Sequence, residues 1–90
     1  MLTKIFYSSK FAREYKKLPL SVKKVAEKKE NIFRSNPFDP KLKTHKLKGN
    51  LRGFLSFYIN QKYRVIFEFV DSNTVWFHSI GEHSIYKLWD

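Results

Sequence analysis

The stretch that decides the fold is LRGFLSFYINQKYRVIFEFVDSNTVWFHSI, residues 51–80. It contains three runs rich in β-branched and aromatic residues, Leu51 to Ile59, Tyr63 to Val70 and Thr74 to Ile80, and such runs are typical of strands. Residues 60–62 and 71–73 separate these runs, and connections this short suit β-hairpins. The sequence therefore predicts an antiparallel meander of three strands.

The N-terminal half has a different spacing of apolar residues. Residues 2–7 alternate like a strand, and residues 10–18 and 20–35 then repeat apolar residues at helical spacing on either side of Pro19. We expect one domain over residues 1–90, of class α+β and order β-α-α-β-β-β. Its four-stranded, mainly antiparallel sheet should carry the N-terminal helical hairpin on one face. The side chains expected to be buried against the sheet are Phe11, Tyr15, Val25, Ile32 and Phe33.

The charge of the chain is large and uneven. The formal net charge is +10, and residues 1–50 hold 14 Lys/Arg and 4 Asp/Glu against 4 and 4 in residues 51–90. Such a surplus of positive charge indicates a nucleic acid or an acidic protein as partner. The alternative is that the charge only keeps the protein soluble. The lysines of residues 23–29 suit the solvated face of a helix better than a phosphate site.

Composition excludes several other classes. The chain has no cysteine, so disulfides and thiolate metal sites are excluded, which fits a reducing cytoplasm. No run approaches the ~18 apolar residues of a membrane span, and the N-terminus lacks the features of a signal peptide. We expect a cytoplasmic protein without a membrane partner. The acidic residues are scattered and His78 and His83 lack zinc-pair spacing, so no metal or other cofactor is expected.

Three positions could carry chemistry. Arg64 lies within an apolar strand, where it needs either a carboxylate such as Glu68 or Glu82, or a phosphate whose transition-state charge it would stabilise. His45 lies in KTHKLKG (residues 43–49) and is either a surface residue or a general base. His83 follows the last strand as a candidate acid, whereas we expect His78 to be structural. Together these residues indicate phosphodiester chemistry on RNA, whose own 2′-hydroxyl is the nucleophile.

These residues resemble a known family. The resemblance is carried by the Lys-rich helical hairpin, by KTHKLKGNLRGFLSFYI and YRVIFEF, and by the terminal Gly-x-His before an aromatic residue. The chain resembles the RelE-like toxins of type II toxin–antitoxin systems, and among them it is most similar to the YafQ-like branch. The resemblance implies the RelE-like fold and an mRNA interferase, an endoribonuclease that cuts mRNA in the A site of the 70S ribosome. It also implies a cognate antitoxin as partner, which we expect to be acidic and to fold on binding.

The resemblance also implies roles at matching positions. Where this chain has Tyr58, YafQ-like enzymes usually have a second histidine. The catalytic residues would be His45, Arg64, His83 and Tyr86, and the residues that bind RNA phosphates would be Lys43, Lys46, Lys48 and Arg52.

Two alternatives stay open at this point. ParE-like relatives share the fold and inhibit DNA gyrase, and a non-catalytic RNA- or ribosome-binding domain would also account for the charge. The joint presence of His45, Arg64 and His83 argues against the ParE-like alternative. A double substitution of His45 and His83 would distinguish the binding domain, since a module that only binds would stay active.

Overall fold

The computed structural model describes residues 4–82 and 84–86. Within these residues, two helices and a sheet of five strands form the fold. The helices are α1 (Ser9–Lys16) and α2 (Leu20–Ser35), and the strands are β1 (Lys4–Tyr7), β2 (His45–Lys46), β3 (Leu55–Tyr58), β4 (Tyr63–Asp71) and β5 (Thr74–Glu82). In this part of the chain, no helix is long and apolar enough to cross a membrane.

The strands lie in the order β1-β5-β4-β3-β2. β1 pairs with β5 in parallel, and the other neighbours are antiparallel. The predicted class and chain order are confirmed, but the prediction of four strands was one short. The additional strand, β2, has two residues, which is too few to produce a recognisable alternation.

The first meander strand begins later than the sequence suggested. We expected it from Leu51, but Gly49–Leu51 forms a 3₁₀ turn and Gly53 has a φ of +101°. That backbone conformation favours glycine and cannot continue a strand, so β3 starts only at Leu55.

The core lies between the two helices and one face of the sheet. At its centre the fully buried ring of Phe33, from α2, lies 4.9 to 5.2 Å from the rings of Phe57, Phe67 and Phe77. The predicted burial of Phe11 and Phe33 is confirmed. The prediction was wrong in degree for Tyr15, Val25 and Ile32, which are only partly buried. On α2 the latter two lie to one side of the stripe that faces the sheet.

Helix α1 is fixed to β5 by side chains at its two ends. The Ser8 hydroxyl accepts a hydrogen bond from the Phe11 amide, which caps the helix, and donates to the His78 carbonyl. Glu14 accepts hydrogen bonds from the Ser79 hydroxyl at 2.8 Å and the Ile80 amide at 3.2 Å. The Glu14 carboxylate therefore satisfies a backbone amide of β5 beyond the end of β1, and α1 is held over one face of the sheet.

Candidate functional site

The strand register places the candidate residues on the face of the sheet opposite the helices. His45 on β2 is opposite Ser56 on β3, and Tyr58 on β3 is opposite Arg64 on β4. Directly paired residues share a face, as do residues two apart along a strand. His45, Tyr58 and Arg64 therefore lie on the same side, which we call the open face.

The ring of Tyr58 brings three cationic or titratable groups together. The guanidinium carbon of Arg64 lies 3.5 Å from the ring centroid, and the Lys43 ammonium lies 5.3 Å from it. The His45 ring meets the Tyr58 ring edge-on, with 6.3 Å between centroids. Contacts of this kind stabilise a cation over an aromatic ring. Three predicted site residues thus form one cluster, the Tyr58 cluster, around a residue that was not among those predictions.

Arg64 has no carboxylate partner among the described residues. Its residue is 8% exposed, and one terminal nitrogen donates to the carbonyls of Asn60 at 2.8 Å and Tyr63 at 3.2 Å. Neither carboxylate offered by the sequence pairs with it, because Glu68 contacts His78 and Glu82 contacts Lys62. Among the described residues no acceptor meets the other N–H groups of the guanidinium. A nearly buried cation in this state is stabilised by an anion such as phosphate.

His45 is exposed, and its orientation is fixed by the turn before it. Its Nδ1 lies 2.9 Å from the carbonyl oxygen of Lys43, a residue in the left-handed conformation with φ of 52°. Because a carbonyl only accepts hydrogen bonds, Nδ1 must carry the proton. In the neutral ring, Nε2 then keeps its lone pair, which is the state that a general base requires.

The chain returns over the open face after β5. The hydroxyls of Tyr86 and Ser56 lie 2.7 Å apart, and a methyl group added at Gly81 would overlap the side chain of Ile85. Tyr86 is thereby placed beside the cross-strand partner of His45. His83 lies outside the described residues, so its role stays a prediction.

Two of the remaining predicted phosphate ligands, Lys46 and Arg52, lie on a different part of the surface from the Tyr58 cluster. Lys46 pairs with Leu55, whose side chain is in the core, so Lys46 is directed to the face opposite His45. Lys46 and Arg52 line a shallow depression with Phe54 and Phe69. Lys48 is exposed at the start of a 3₁₀ turn. The structure therefore separates Lys43 from Lys46 and Arg52.

A cavity of about 480 Å³ opens between the helical hairpin and the sheet. Most of its lining is apolar, including Phe11, Tyr15 and Phe57, but Glu27 and Glu30 also belong to it. Tyr7 lines the cavity too, and burial together with the Glu30 carboxylate raises the pKa of its phenol. This side of the protein accepts apolar groups and disfavours phosphate.

The third histidine has protein partners, as expected for a structural residue. His78 Nε2 lies 2.8 Å from a Glu68 carboxylate oxygen, and its ring stacks on Trp76 with 4.7 Å between centroids. Over residues 4–82 and 84–86, no group of three or more histidine, cysteine or acidic side chains is arranged to hold a metal ion.

The fold and the open face define a class, the RelE-like toxins of type II toxin–antitoxin systems. Residues 3–87 match the family model described as a bacterial toxin of type II toxin–antitoxin system, YafQ. Since the match spans nearly all of the chain, the protein belongs to the YafQ family of type II toxins.

Solved structures of several toxins share the fold of this chain. The YoeB/ParE toxin from Agrobacterium tumefaciens has a TM-score of 0.76 at 15% identity, covering 90% of this chain and 99% of that one. YafQ from E. coli has a TM-score of 0.71 at 18% identity, covering 91% and 94%. The YoeB–YefM complex from Staphylococcus aureus has a TM-score of 0.73 at 26% identity, covering 92% and 98%. No curated protein matches the sequence.

Tyr58, which lies at the centre of the Tyr58 cluster, was not among the predicted site residues. The available signal was the family resemblance, because the resemblance implies a second histidine where this chain has Tyr58. Without the resemblance, a tyrosine in a strand is an ordinary half-exposed aromatic residue. Its contacts with Lys43 and Arg64 depend on how the neighbouring strands are aligned, which the sequence alone does not specify.

Proposed function

We propose that this toxin is an mRNA interferase, an endoribonuclease that cuts mRNA in the ribosomal A site without a metal ion. The observation that carries the proposal is the Tyr58 cluster. It combines a guanidinium that has no carboxylate partner among residues 4–82 and 84–86 with an exposed, oriented imidazole on one face. These are the groups that transesterification by the RNA 2′-hydroxyl requires.

Each group has a distinct role in the reaction. Nε2 of His45 removes the proton from the 2′-hydroxyl, whose oxygen attacks the adjacent phosphorus. Arg64 and Lys43 stabilise the additional negative charge of the pentacoordinate phosphorane. The bond to the 5′-oxygen then breaks, which leaves a 2′,3′-cyclic phosphate upstream and a 5′-hydroxyl downstream.

The leaving 5′-oxygen needs a proton. We assign this step to His83, and we assign Tyr86 to contact with the RNA, either with a phosphate through its hydroxyl or with a base through its ring. The hydrogen bond between Tyr86 and Ser56 supports a position on the open face. The protein would act in the cytoplasm, where ribosomes and mRNA are found.

The test in cells is primer extension on mRNA after brief induction of the toxin. We expect new 5′ ends in wild type that follow the reading frame, and their loss in His45→Ala, because a positioned base contributes about 10²–10⁴-fold. Lys28→Ala, on the exposed side of α2, serves as the control and should cut like wild type. Growth arrest without cuts would contradict the proposal and favour gyrase inhibition or passive ribosome binding.

The chemistry is tested on purified ribosome complexes. A 2′-deoxy substitution at the cut position should abolish cleavage, because it removes the nucleophile. Added imidazole should restore part of the activity of His45→Ala, since free imidazole can occupy the space of the lost ring. Cleavage of the 2′-deoxy substrate, or loss of activity with EDTA while the ribosomes stay intact, would exclude this mechanism.

We further propose that an acidic antitoxin neutralises the toxin, as YefM is bound by YoeB in the S. aureus complex. Its carboxylates would bind Lys43 and Arg64, and its apolar side chains would enter the 480 Å³ cavity beside the helical hairpin. Long-range attraction would speed association, so the on-rate should fall with added salt while dissociation stays slow. A ternary complex of toxin, antitoxin and ribosome that still cuts mRNA would contradict this competition.

A further inference from the structure

Two exposed aromatic rings lie side by side on the open face at the β1 edge of the sheet. Phe6 on β1 is opposite Trp76 on β5, and these residues are 44% and 42% exposed. Trp76 is in turn opposite Glu68 on β4. Because Glu68 is four residues from Arg64 on the same strand, Phe6 and Trp76 share the face of the Tyr58 cluster.

The Trp76 ring packs against His78, which is itself held by neighbouring side chains. It stacks on the His78 ring with an interplanar angle of 30°, and His78 meets the edge of Phe54 at 5.2 Å and the Glu68 carboxylate at 2.8 Å. A flat ring held in this way loses little conformational entropy when a ligand stacks on it.

The charge beside the rings suits a polyanion. The Lys4 ammonium lies 4.8 Å from the Phe6 centroid, and one oxygen of the nearby Glu68 carboxylate is engaged by His78. An exposed aromatic pair with an adjacent cation is the arrangement that binds single-stranded nucleic acid, in which bases stack on rings and phosphates meet Lys or Arg.

We propose that Phe6 and Trp76 form a base-stacking subsite for single-stranded RNA whose scissile phosphate lies at the Tyr58 cluster. This subsite rests on the proposed function. Four residues of strand separate the row of Arg64 from the row of Trp76, a distance of about 13 Å. A stacked strand rises about 3.4 Å per nucleotide, so the base on Trp76 lies roughly four nucleotides from the cut.

The spacing predicts a dependence on RNA length. A dinucleotide occupies the Tyr58 cluster without reaching Trp76, whereas an octanucleotide reaches both. The aromatic subsite should therefore strengthen binding of the longer RNA alone, which separates it from a general effect of charge.

The test uses 2′-O-methyl RNA, which cannot be cleaved, and the full-length protein. Since the chain has two tryptophans, Trp89→Phe leaves Trp76 as the reporter, and the octanucleotide should quench its fluorescence. In Trp76→Leu, fluorescence anisotropy should show binding of a labelled octanucleotide weakened about 5- to 150-fold, the range for one stacked base. Binding of the dinucleotide should not change, and Trp76→Phe should recover most of the affinity.

Leu20→Ala is the matched control, because Leu20 is an exposed apolar residue on α2, away from the open face. It should bind the octanucleotide like wild type. Equal affinity of Trp76→Leu and wild type for the octanucleotide would overturn the subsite. If that variant instead lost only its binding to intact 70S ribosomes, the rings would serve ribosome docking, and the proposal would again be overturned.

The outcome is independent of catalysis. If the octanucleotide quenches the Trp76 fluorescence of Trp89→Phe and Trp76→Leu binds this RNA weakly, the subsite is supported even where no RNA is cut and the ribonuclease proposal fails. If mRNA is cut while Trp76→Leu binds and cuts like wild type, the ribonuclease proposal stands and the subsite fails.

Discussion

Replacing Arg64 separates its structural role from its proposed chemistry. Arg64→Lys keeps the positive charge but removes the planar fork, whereas Arg64→Met removes the charge and every donor. The native guanidinium uses one nitrogen to bind the carbonyls of Asn60 and Tyr63 and leaves its other N–H groups without a described acceptor. The hydrogen bonds to Asn60 and Tyr63 hold the turn, and the remaining N–H groups are available to a phosphate.

The magnitudes follow from these contacts. A hydrogen bond from a charged donor is worth about 1.5–3 kcal/mol, and a desolvated cation over an aromatic ring adds about 2 kcal/mol. Asn60 is exposed, so water replaces part of what is lost. We therefore expect Arg64→Met to lower the free energy of unfolding by about 2–4 kcal/mol, and Arg64→Lys by less because an ammonium still reaches one carbonyl.

The effect on cleavage should be larger and should not follow stability. Loss of a preorganised donor to a transition state costs about 10²–10³-fold in rate, and an ammonium does not reproduce bidentate contact with a phosphate. We expect Arg64→Lys to cut about 10²-fold more slowly in single-turnover assays on ribosome complexes, while urea unfolding stays close to wild type. Arg13→Lys, an exposed arginine on α1, is the matched control.

Two results would refute this reasoning. Cleavage by Arg64→Lys at the wild-type rate would show that Arg64 only holds the turn. A loss of activity in Arg64→Lys that disappears when the protein is stabilised, for example by an osmolyte, would show that the variant is inactive because it is unfolded.

Three further predictions concern the scaffold. Phe33→Ala should lower the free energy of unfolding by about 3–5 kcal/mol in urea titrations, because it removes the central ring of the core; a loss below about 1 kcal/mol would contradict that placement. Gly81→Ala should displace Ile85, lower the free energy of unfolding by about 1–3 kcal/mol and slow cleavage. The double variant Gly81→Ala/Ile85→Ala should relieve the overlap, so that the effects of the two substitutions are not additive. Additive effects would contradict the predicted overlap. Because the folded state raises the pKa of the Tyr7 phenol above 10.0, the free energy of unfolding should fall as pH rises through 10 towards the raised pKa. Tyr7→Phe should flatten this fall in denaturant titrations from neutral to alkaline pH, and an unchanged slope would count against the shift.

The sequence predicted those parts of the fold that repeat a local pattern. The meander followed from apolar runs with short connections, and the hairpin followed from helical spacing around Pro19. β2 was not predicted because two residues are too few to show the alternation of a strand, although this strand positions His45. Partial burial of Val25 and Ile32 depends on how α2 is rotated over the sheet, which spacing alone does not determine.

The site was harder to predict because neighbours in sequence separate in space. Lys43 and Lys46 belong to one basic motif, but strand alternation directs Lys46 to the face opposite His45. Conversely, Tyr58 and Arg64 meet because the β3–β4 hairpin sets them opposite each other. Alternation along β4 puts Arg64 on the face away from the core, whereas its contact with Tyr58 depends on the register of β3 and β4.

The same register would allow one small basic protein to bind the two ligands proposed for it. The open face carries Lys43 and Arg64, which has no carboxylate partner in the described part of the chain, whereas the cavity beneath the helical hairpin carries apolar side chains with Glu27 and Glu30. A net charge of +10 conceals this division. Phosphate is favoured on the first surface and repelled from the second, so RNA should bind only the open face. An inhibitor that reaches both surfaces competes with RNA through its carboxylates and is retained by its apolar contacts. In such a complex, added salt weakens the competition for the open face but leaves the buried apolar contact in place.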